Sequence, residues 1–490
     1  MLAIDGLACP ACRGDLRADG EAQLICQGCQ ATYPLFEGIP SFIPAPASGR
    51  PASYQLTVVI PALNEAGNLD QLLPALQAEL ASLEITHEII VVDGGSTDDT
   101  ETVVNRHGAR MVRQSLPGYG GALRAGFEQA AGDFILTLDA DGSHDPSFLR
   151  EIWAARSSGE VIIASRYVQG GSAEMPRLRR TLSRILNVVY RRGLSLSPAD
   201  LSSGYRLYRR RAVASLPLGA TDFDVLEEIL IRSVAAGYTV HEVPFHYRAR
   251  AAGKSHARLA AFAVSYLKTF GSMWKLRNSI ASADYDARAY DSVVPLQRYW
   301  QRRRYAVITK MAEGAKQVLD VGCGSSRIIG SRQLVGLDIV LAKLRYARRY
   351  GNPLVHGSIF ELPFKDASFD CVICSEVIEH IPADEKVFDE LERVLKPGGR
   401  LILGTPDYDR WRWRALEWLY GRMSPGGYAD EHITHYSRPN LAAYLMARGM
   451  TIDGMEYVGG SEMIFSLRKA AAPLAAPVRL PVAAGLRTAR

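Results

Sequence analysis

The sequence predicts a multidomain α/β protein, and three observations support this fold class. Apolar runs typical of strands alternate with amphipathic segments typical of helices over 56–247, and the alternation returns over 316–467. Such alternation is typical of a mostly parallel sheet with helices on both faces. Near the N-terminus, four cysteines in two closely spaced pairs predict a small additional module. A chain of 490 residues has room for about three domains.

The composition narrows the classes of function. Hydrophobic residues make up 47% of the chain and charged residues 22%, which is ordinary for a soluble globular protein. A net charge of +5 is small for this length, so no nucleic-acid partner is expected. The first residues contain no apolar signal-peptide core, and the best candidate span, 259–276, is interrupted by Lys268. We therefore expect a protein that is cytosolic or attached to a membrane face, without a transmembrane span.

The two cysteine pairs predict a metal site in a zinc ribbon over 1–48. The pairs are "CPAC" and "CQGC", which contain Cys9, Cys12, Cys26 and Cys29. Four thiolates on two tight turns can bind Zn²⁺ tetrahedrally, and such a closed site is structural. Unrelated surface thiols in a reducing cell are the alternative. The segment resembles short zinc-ribbon proteins that end in a stretch like "YPLFEGIPSFIP". The similar "CVIC" at 371–374 lies in an apolar strand and indicates core packing instead.

The elements of the first α/β unit follow in a regular order. The predicted strands include "LTVVIPAL", "HEIIVVDGGS", "ARMVRQS", "DFILTLDAD" and "VIIASRY". The predicted helices between them include "NLDQLLPALQAEL", "TDDTETVVNRHG" and "GGALRAGFEQAAG". Ligands of such sheets collect at the carboxyl ends of the strands. Asp93 and Asp139 both follow directly on a predicted strand, so both are expected at this edge.

Two carboxylates close the strand that ends in "LDAD". Asp139 and Asp141 would repel each other unless a cation lay between them and a ligand. Mg²⁺ or Mn²⁺ suits these oxygen donors and would neutralise the diphosphate leaving group of a nucleotide sugar. The alternative is an ordinary turn. That interpretation fits Asp145 better, because Asp145 precedes a proline at the first position of a helix.

Further motifs in this unit point to one family. "VVIPALNEAGNL", "EIIVVDGGSTDDT", "PGYGGALRAGFEQAAGDFILTLDADGSHDP", "ASRYVQGG", "LSSGYRLYRR" and "EVPFHYRARAAGKSH" occur in this order. Together they resemble family 2 glycosyltransferases with the Rossmann-like GT-A fold, specifically the dolichyl-phosphate mannose synthase group. We place this domain at 54–280.

The resemblance implies roles for individual residues. The nucleotide-sugar pocket would be lined by Pro61, Leu63, Glu65, Val92, Asp93 and Ala140. The Mg²⁺ or Mn²⁺ ion would be held by Asp139, Asp141 and Ser143. Arg166 and Arg250 match arginines that hold phosphate groups, and with the two aspartates they form the implied catalytic set. Two positions depart from the family pattern: Asp93-Gly94 replaces the usual Asp-Asp, and His256 replaces a lysine.

A polyprenyl phosphate acceptor fits the lack of an obvious general base. A phosphomonoester has its second pKa near 6, so it is mostly ionised at neutral pH and can attack the sugar directly, with inversion. The implied reaction transfers a hexose, mannose or glucose, from a nucleotide sugar to the lipid phosphate. The helical segments 177–192 and 259–276 mix apolar and basic positions in a way that suits an anionic membrane surface. Solvated helices packed on their own domain are the alternative.

The second α/β unit carries a cofactor pattern. "VLDVGCGSS" places a glycine-rich turn after a strand, and "LVGLDI" ends the next strand on Asp338, which could accept both ribose hydroxyls. With "LPFKDASFDCVICSEVIEHI" and "LKPGGRLILGTP", these segments resemble class I S-adenosylmethionine-dependent methyltransferases, with a Rossmann-like domain at 285–467. By this resemblance Asp320, Gly322 and Gly324 contact the methionine end of the cofactor.

Several positions in this unit leave alternatives open. The loop between the two glycine motifs is short, so the first helix is expected to be clipped. Ser358 stands where many relatives have an adenine-contacting aspartate. Glu379, His380 and His435 are candidate pocket residues, although capping or packing explains them equally well.

The whole chain is thus expected to be a fusion of a zinc ribbon, a polyprenyl-phosphate glycosyltransferase and a methyltransferase. The Ala/Pro-rich segment 468–490 is predicted to be disordered. Two alternatives remain: a glycosyltransferase for a soluble or glycan acceptor, and a scaffold with an inactive methyltransferase-like domain. The sequence does not indicate the methyl acceptor.

Overall fold

A computed structural model describes residues 6–44, 51–248, 259–423 and 432–470 of the chain. The chain divides into two compact units. One unit is Ala47–Arg277, and the other combines Met1–Pro46 with Asn278–Arg490. The candidate Arg250 and the departure at His256 lie outside the described residues, as does 471–490 of the predicted tail.

The N-terminal segment forms a small antiparallel sheet of short strands. In spatial order these are β1 (Leu16–Asp19), β2 (Gln23–Cys26), β3 (Thr32–Phe36) and β4 (Ile39–Pro40). The cysteine pairs lie at the two turns that flank β1 and β2, where the chain reverses tightly. Such short strands bury little apolar surface, so a bound metal is a common source of stability for modules of this size.

The unit Ala47–Arg277 is built on a mixed sheet, with order β12-β9-β11-β8-β5-β6-β7 among the described strands. Its strands are β5 (Tyr54–Ala62), β6 (His87–Asp93), β7 (Arg110–Arg113), β8 (Gly132–Thr137), β9 (Val161–Ser165), β11 (Arg206–Arg209) and β12 (Val240–Pro244), with the small pair β10 (Ser172–Ala173) and β13 (His246–Tyr247) beside it. All neighbours run parallel except β11, which is antiparallel to β8 and β9.

Helices cover both faces of this sheet. They are α1 (Ala66–Ser82), α2 (Thr100–Arg106), α3 (Gly118–Gln129), α4 (Leu149–Ala154), α5 (Arg177–Leu194), α6 (Val225–Ala235) and α7 (Leu259–Arg277). Alternation along β5 shows why its sequence is continuously apolar: Val58 and Ile60 face one core, and Val59 faces the other. This confirms the α/β architecture expected for the first unit.

The part of the chain after Asn278 forms a second sheet, with order β16-β15-β14-β17-β18-β20-β19 among the described strands. Its strands are β14 (Val318–Val321), β15 (Val335–Asp338), β16 (Leu354–His356), β17 (Phe369–Ser375), β18 (Leu395–Pro406), β19 (Met450–Val458) and β20 (Glu462–Lys469). The first five in spatial order are parallel, and β20 is antiparallel to both β18 and β19. β20 extends two residues beyond the predicted domain end at 467.

The helices of this part are α8 (Tyr285–Tyr290), α9 (Pro295–Met311), α10 (Leu341–Ala347), α11 (Glu385–Val394), α12 (Trp411–Met423) and α13 (Arg438–Ala447). The described residues between β14 and β15 contain turns and bends but no helix, which confirms the clipped first helix. Cys371 and Cys374 are fully buried in β17, so "CVIC" packs in the core as predicted.

The ribbon packs on the second sheet within the same compact unit. Ser41 forms a parallel bridge with His356 at the edge strand β16, and its hydroxyl lies 2.8 Å from His356 Nδ1. Arg13 pairs with Glu390 at 2.9 Å, and Arg345 pairs with Glu37 at 3.0 Å. These contacts join the ribbon to strand β16 and to helices α10 and α11.

Candidate active sites

The carboxyl ends of β5, β6 and β8 bring the predicted nucleotide-sugar residues to one edge of their sheet. Pro61 pairs with Val92, and the next pair in the register is Ala62 with Asp93. Asp93 is buried and accepts hydrogen bonds from the backbone N–H groups of Gly95 (3.2 Å) and Ser96 (3.0 Å). These two hydrogen bonds hold the Asp93 carboxylate in place where the strand turns outward.

Leu63 and Glu65 lie in the loop that leaves β5. Leu63 is 49% exposed, which leaves its side chain available to a ligand. Glu65 precedes α1, and its carboxylate accepts a hydrogen bond from Asn68 Nδ2 at 2.5 Å. Its backbone N–H donates to Thr100 Oγ1, so this loop is tied to the start of α2.

Asp139 lies just beyond the end of β8 and is held by two residues that were not predicted from the sequence. Tyr119 on α3 donates its hydroxyl to Asp139 Oδ1 at 2.9 Å. The backbone N–H of Asp139 donates to Nδ1 of the buried His144, whose Nε2 faces Asp139 Oδ2 at 3.8 Å. Gly204 permits this packing, because a Cβ there would lie 2.9 Å from the Tyr119 hydroxyl. Asp139 nevertheless keeps 26% of its side chain exposed.

Ala140, Asp141 and Ser143 form a buried turn after β8. Asp141 Oδ1 accepts the backbone N–H of Ser143 at 3.0 Å. The Ser143 hydroxyl is buried and has no hydrogen-bond partner among the described residues. Asp145, by contrast, caps the short 3-10 helix Pro146–Phe148 through the Ser147 N–H at 3.0 Å, which confirms its predicted capping role. Together with Asp139, the turn therefore offers two carboxylates and one hydroxyl in close sequence.

Arg166 is buried and ion-paired with Asp200. Its Nε and Nη2 each donate to the carboxylate at 2.7 Å, and Nη2 also donates to Ser202 Oγ at 2.8 Å. This bidentate pair holds the pKa of Asp200 below its ordinary value despite complete burial, which acts in the opposite direction. Asp200 was not singled out from the sequence, since nothing local marks it as the partner of Arg166.

The predicted cofactor residues of the second sheet line one cavity of about 400 Å³. They are Asp320, Gly322, Gly324 and Asp338. Gly322 has φ +70°, and a Cβ there would lie 2.3 Å from Val377 Cγ2, so only glycine fits this turn. The carboxylate of Asp338 accepts the N–H groups of Gly324 (2.8 Å) and Val340 (2.7 Å).

Asp320 is the least satisfied carboxylate of this cavity. It is buried at the end of β14, and its Oδ2 has no hydrogen-bond partner among the described residues. Burial, together with the nearby charge of Asp338, raises the pKa of Asp320 to about 8. A bound cation would supply the missing partner.

Two further lining residues come from outside the glycine motifs. Asp286 on α8 accepts a hydrogen bond from Ser325 Oγ at 3.3 Å and pairs with Lys343 of α10 at 3.2 Å. Both line the cavity, together with Ser358 and His380. Asp286 lies in a polar segment whose sequence resembles a simple linker, so no local signal identified it. His435 is exposed and stacks on Tyr408, with ring centroids 3.9 Å apart.

The four ribbon cysteines converge. Their sulfur atoms all lie within 4.8 Å of one another, with Cys9 to Cys29 at 3.6 Å and Cys12 to Cys26 at 3.4 Å. Tetrahedral Zn–S bonds of about 2.3 Å require S···S separations of about 3.8 Å, so this cluster fits zinc. Hydrogen bonding from the Cys29 backbone N–H is the largest influence on the Cys26 thiol and lowers its pKa to about 6.

The fold and these sites together define a multidomain α/β enzyme. Three family models match it: Glycosyl transferase family 2 over residues 57–216, Methyltransferase domain over 319–403, and Trm112p-like protein over 4–38. The chain belongs to glycosyltransferase family 2, joined to a methyltransferase domain and an N-terminal zinc-ribbon module. These matches confirm the predicted three-part fusion.

Among curated proteins, an uncharacterized glycosyltransferase of Mycobacterium tuberculosis is 34% identical over 204 residues, which cover 42% of this chain and 90% of that protein. A polyprenol monophosphomannose synthase of Mycolicibacterium smegmatis is 32% identical over 227 residues, covering 43% of this chain and 83% of that protein. A dolichol-phosphate mannosyltransferase of Pyrococcus furiosus is 32% identical over 210 residues, covering 41% and 58%.

Among solved structures, glucosyl-3-phosphoglycerate synthase of Mycobacterium tuberculosis, in complex with Mn²⁺, UDP and glucosyl-3-phosphoglycerate, is 21% identical. The alignment covers 46% of this chain and 81% of that chain, with a TM-score of 0.36.

Proposed function

We propose that the glycosyltransferase part transfers a hexose, mannose or glucose, from a nucleotide sugar to a polyprenyl phosphate, with inversion. One observation carries this proposal most directly: Asp93, Asp139 and Asp141 lie at the carboxyl edge of the first sheet. The part of the chain that forms this sheet is similar to a polyprenol monophosphomannose synthase. In this assignment Pro61, Leu63, Glu65, Val92, Asp93 and Ala140 bind the nucleotide sugar.

Asp139, Asp141 and Ser143 would hold Mg²⁺ or Mn²⁺ at the diphosphate. The donor set fits such an ion, because it consists of oxygen atoms and includes a buried hydroxyl without a partner among the described residues. When bound, the ion neutralises the negative charge that develops on the leaving diphosphate. Tyr119 and His144 act as positioning residues, since both contact Asp139.

Arg166 would hold a phosphate oxygen through the part of its guanidinium that faces away from Asp200. The ion pair engages Nε and Nη2, so Nη1 is the atom assigned to phosphate. Arg250 keeps its predicted phosphate-binding role. The lipid phosphate is mostly ionised at neutral pH, so no residue has to remove a proton before it attacks the sugar.

A lipid acceptor is supported by exposed apolar side chains on two basic helices that pack together. On α5, Leu182, Ile185 and Val189 are exposed by 50%, 54% and 50% in a helix rich in arginine. On α7, Val264 and Leu267 are exposed by 68% and 72%. An apolar face flanked by cations suits the interface of an anionic membrane. Within the described residues no helix is both long and apolar enough to cross a bilayer. The chain is therefore proposed to bind the cytoplasmic membrane face peripherally.

Purified chain supplied with polyprenyl phosphate and a panel of nucleotide sugars tests the sugar-transfer proposal. We expect Mg²⁺- or Mn²⁺-dependent transfer of one hexose to the lipid phosphate. Transfer only to a soluble or glycan acceptor would overturn the lipid assignment.

Flotation with anionic vesicles tests the membrane surface. Ile185→Glu should reduce vesicle binding severalfold, because a charge replaces an exposed apolar contact. Val293→Glu is the matched control, since Val293 is 91% exposed on a different part of the chain. Equal loss in both variants would contradict the assignment to α5.

We further propose that the methyltransferase part binds S-adenosylmethionine through Asp320, Gly322, Gly324 and Asp338, and that the ribbon binds structural Zn²⁺. The methyltransferase and sugar-transfer sites lie on one chain, so an intermediate that both use would meet the second site at a high effective concentration. The proposed methyl acceptor is therefore the glycolipid product or its sugar. Radiolabelled methyl transfer tests this: label on the lipid product supports it, and label only on protein or RNA overturns it.

A further inference from the structure

A cluster of potential metal ligands lies between two cavities of the methyltransferase part. The cofactor cavity of about 400 Å³ is lined by His380. A second cavity of about 110 Å³, lined by Trp300, Trp413 and His432, lies beside it, and the two share Arg304 in their walls. Glu379, His380 and His432 each offer one ligand atom, and these three atoms all lie within 4.8 Å of one another.

The hydrogen bonds of His432 leave a lone pair on its Nε2. Its Nδ1 lies 2.9 Å from Glu417 Oε1 and 2.8 Å from the Tyr408 hydroxyl, which itself donates to Glu417 Oε1 at 2.7 Å. Because the Tyr408 proton is used on the carboxylate and an ionised carboxylate can only accept, we assign the ring proton to Nδ1. In the neutral ring Nε2 is then unprotonated. The His432 side chain is 2% exposed, and Nε2 has no hydrogen-bond partner among the described residues. A carboxylate behind a histidine in this way is typical of metal-binding imidazoles.

Glu379 presents a matching acceptor. It is fully buried, and Thr405 donates to its Oε2 at 3.0 Å, while Oε1 has no hydrogen-bond partner among the described residues. Two neighbouring carboxylates have a cationic partner instead, because Arg304 pairs with both Glu376 (3.0 Å) and Glu462 (2.7 Å). A buried carboxylate atom without a partner is costly, and a cation at the cluster would remove that cost.

The backbone fixes the two ligand-bearing segments together. The N–H groups of Ile433 and Thr434 donate to the Glu379 carbonyl at 2.9 and 3.0 Å. Thr434 Oγ1 also donates to the Ile381 carbonyl at 2.6 Å. The loop that carries His432 is thus held against the short helix that carries Glu379 and His380 before any ion binds.

We propose that Glu379, His380 and His432 form a site for a divalent first-row transition-metal ion, distinct from the ribbon cysteines and from Asp139 and Asp141. Two imidazoles and one carboxylate favour Zn²⁺, Mn²⁺, Fe²⁺ or Co²⁺ over Mg²⁺ or Ca²⁺. Three protein ligands leave open coordination positions, and those positions adjoin both cavities.

The ion's role rests on the methyltransferase function proposed above, whereas its binding does not. An acceptor hydroxyl in the smaller cavity would bind the ion, which lowers the hydroxyl pKa and releases its proton to solvent. The oxygen then forms a bond to the methyl carbon of the sulfonium. The carbon–sulfur bond breaks with its electron pair remaining on sulfur. The site therefore predicts oxygen methylation.

Cobalt binding to the full chain tests the site without reference to activity. Asp141→Asn provides the background, because it removes the metal site proposed for sugar transfer. After metal removal by a chelator, this chain should bind two Co²⁺ ions. One ion should show the charge-transfer absorption of thiolate ligands, and the other should lack it.

Adding His432→Ala should abolish the ion without thiolate absorption, whereas His435→Ala, three residues away, should leave both ions bound. Glu379→Gln provides an independent variant that keeps the side-chain size, and it should weaken the same ion at least tenfold. Circular dichroism verifies that each variant is folded. Binding of only the thiolate-ligated ion by the Asp141→Asn chain, or equal binding by folded His432→Ala and His435→Ala chains, would overturn the proposal. Bound metal without methyl transfer would overturn only the proposed role.

Discussion

The sugar-transfer edge and the cofactor cavity both collect aspartates at strand ends, yet Asp320 of the cavity lacks the hydrogen-bond partners that the sugar-transfer aspartates have. Asp93 and Asp141 accept N–H groups two or three residues further along the chain, and Asp139 accepts the Tyr119 hydroxyl. In the cofactor cavity, Asp320 is buried with one oxygen unpartnered among the described residues.

The two sites therefore differ in whether a ligand is needed to complete the hydrogen bonding of their carboxylates. Local N–H and O–H donors hold the sugar-transfer carboxylates in place whether or not a ligand is bound. Asp320 lacks such support, and burial together with the nearby charge of Asp338 raises its pKa to about 8. The cationic end of a ligand would supply a partner for its Oδ2, which has none among the described residues.

The largest expected effect is on sugar transfer. Asp141→Asn should reduce hexose transfer at least ~100-fold and weaken the activation by Mg²⁺ or Mn²⁺, because a direct metal ligand is lost. Asp145→Asn is the matched control, since Asp145 serves as a helix cap in the same loop. Rates should be measured across a metal titration. Near-normal transfer by Asp141→Asn would contradict the metal assignment.

The second effect concerns the cofactor. Asp338→Ala should weaken S-adenosylmethionine binding at least tenfold, because two hydrogen bonds to a charged acceptor contribute about 1.5–3 kcal/mol each. Calorimetry on wild type and variant measures the change. Asp370→Asn is the control, since Asp370 pairs with Lys396 at 2.7 Å away from the cavity lining. Unchanged affinity in Asp338→Ala, or no binding in wild type, refutes the assignment.

Features that depend on a local sequence pattern were predictable, and features that depend on distant segments were not. Strand ends with their aspartates, glycine turns and cysteine pairs are local patterns, so Asp139, Gly322 and Cys26 were identifiable. Partners from distant segments carry no local signal: Tyr119 lies on a helix, and Asp286 lies in an apparent linker. The docking of the ribbon on β16 was likewise not predictable, because a register between distant strands leaves no mark in either segment.

The third prediction uses the pH dependence of Asp320. Its folded-state pKa of about 8 exceeds the ordinary value of 3.8, so its protonated form stabilises the ligand-free fold. This stability contribution is fully present below 3.8 and is lost as the pH rises through 8. A cationic ligand favours the ionised form of Asp320, so the affinity for S-adenosylmethionine should increase with pH by up to tenfold per pH unit. The affinity should be measured between about pH 6 and 7.5, because an α-amino group stays mostly charged in this range.

Asp320→Asn cannot ionise and should flatten this dependence while binding weakly at every pH. The same slope in wild type and Asp320→Asn would show that another group governs the pH profile.

Loss of the ribbon's zinc is expected to have the smallest effect on sugar transfer. The prediction compares two cysteine pairs of identical spacing, one in the ribbon and one in β17. Cys26→Ser with Cys29→Ser should release one zinc per chain and lower the melting temperature of the methyltransferase part, because the ribbon packs on it through Arg13, Glu37 and Ser41. Sugar transfer should stay within about twofold of wild type, since the ribbon belongs to the other compact unit.

Cys371→Ala with Cys374→Ala is the matched control: it removes two buried core thiols and should destabilise the same unit with the zinc retained. Elemental analysis and calorimetric melting separate the two variants. Zinc retained by the ribbon variant, or lost by the core variant, would show that spacing alone had misidentified the metal ligands.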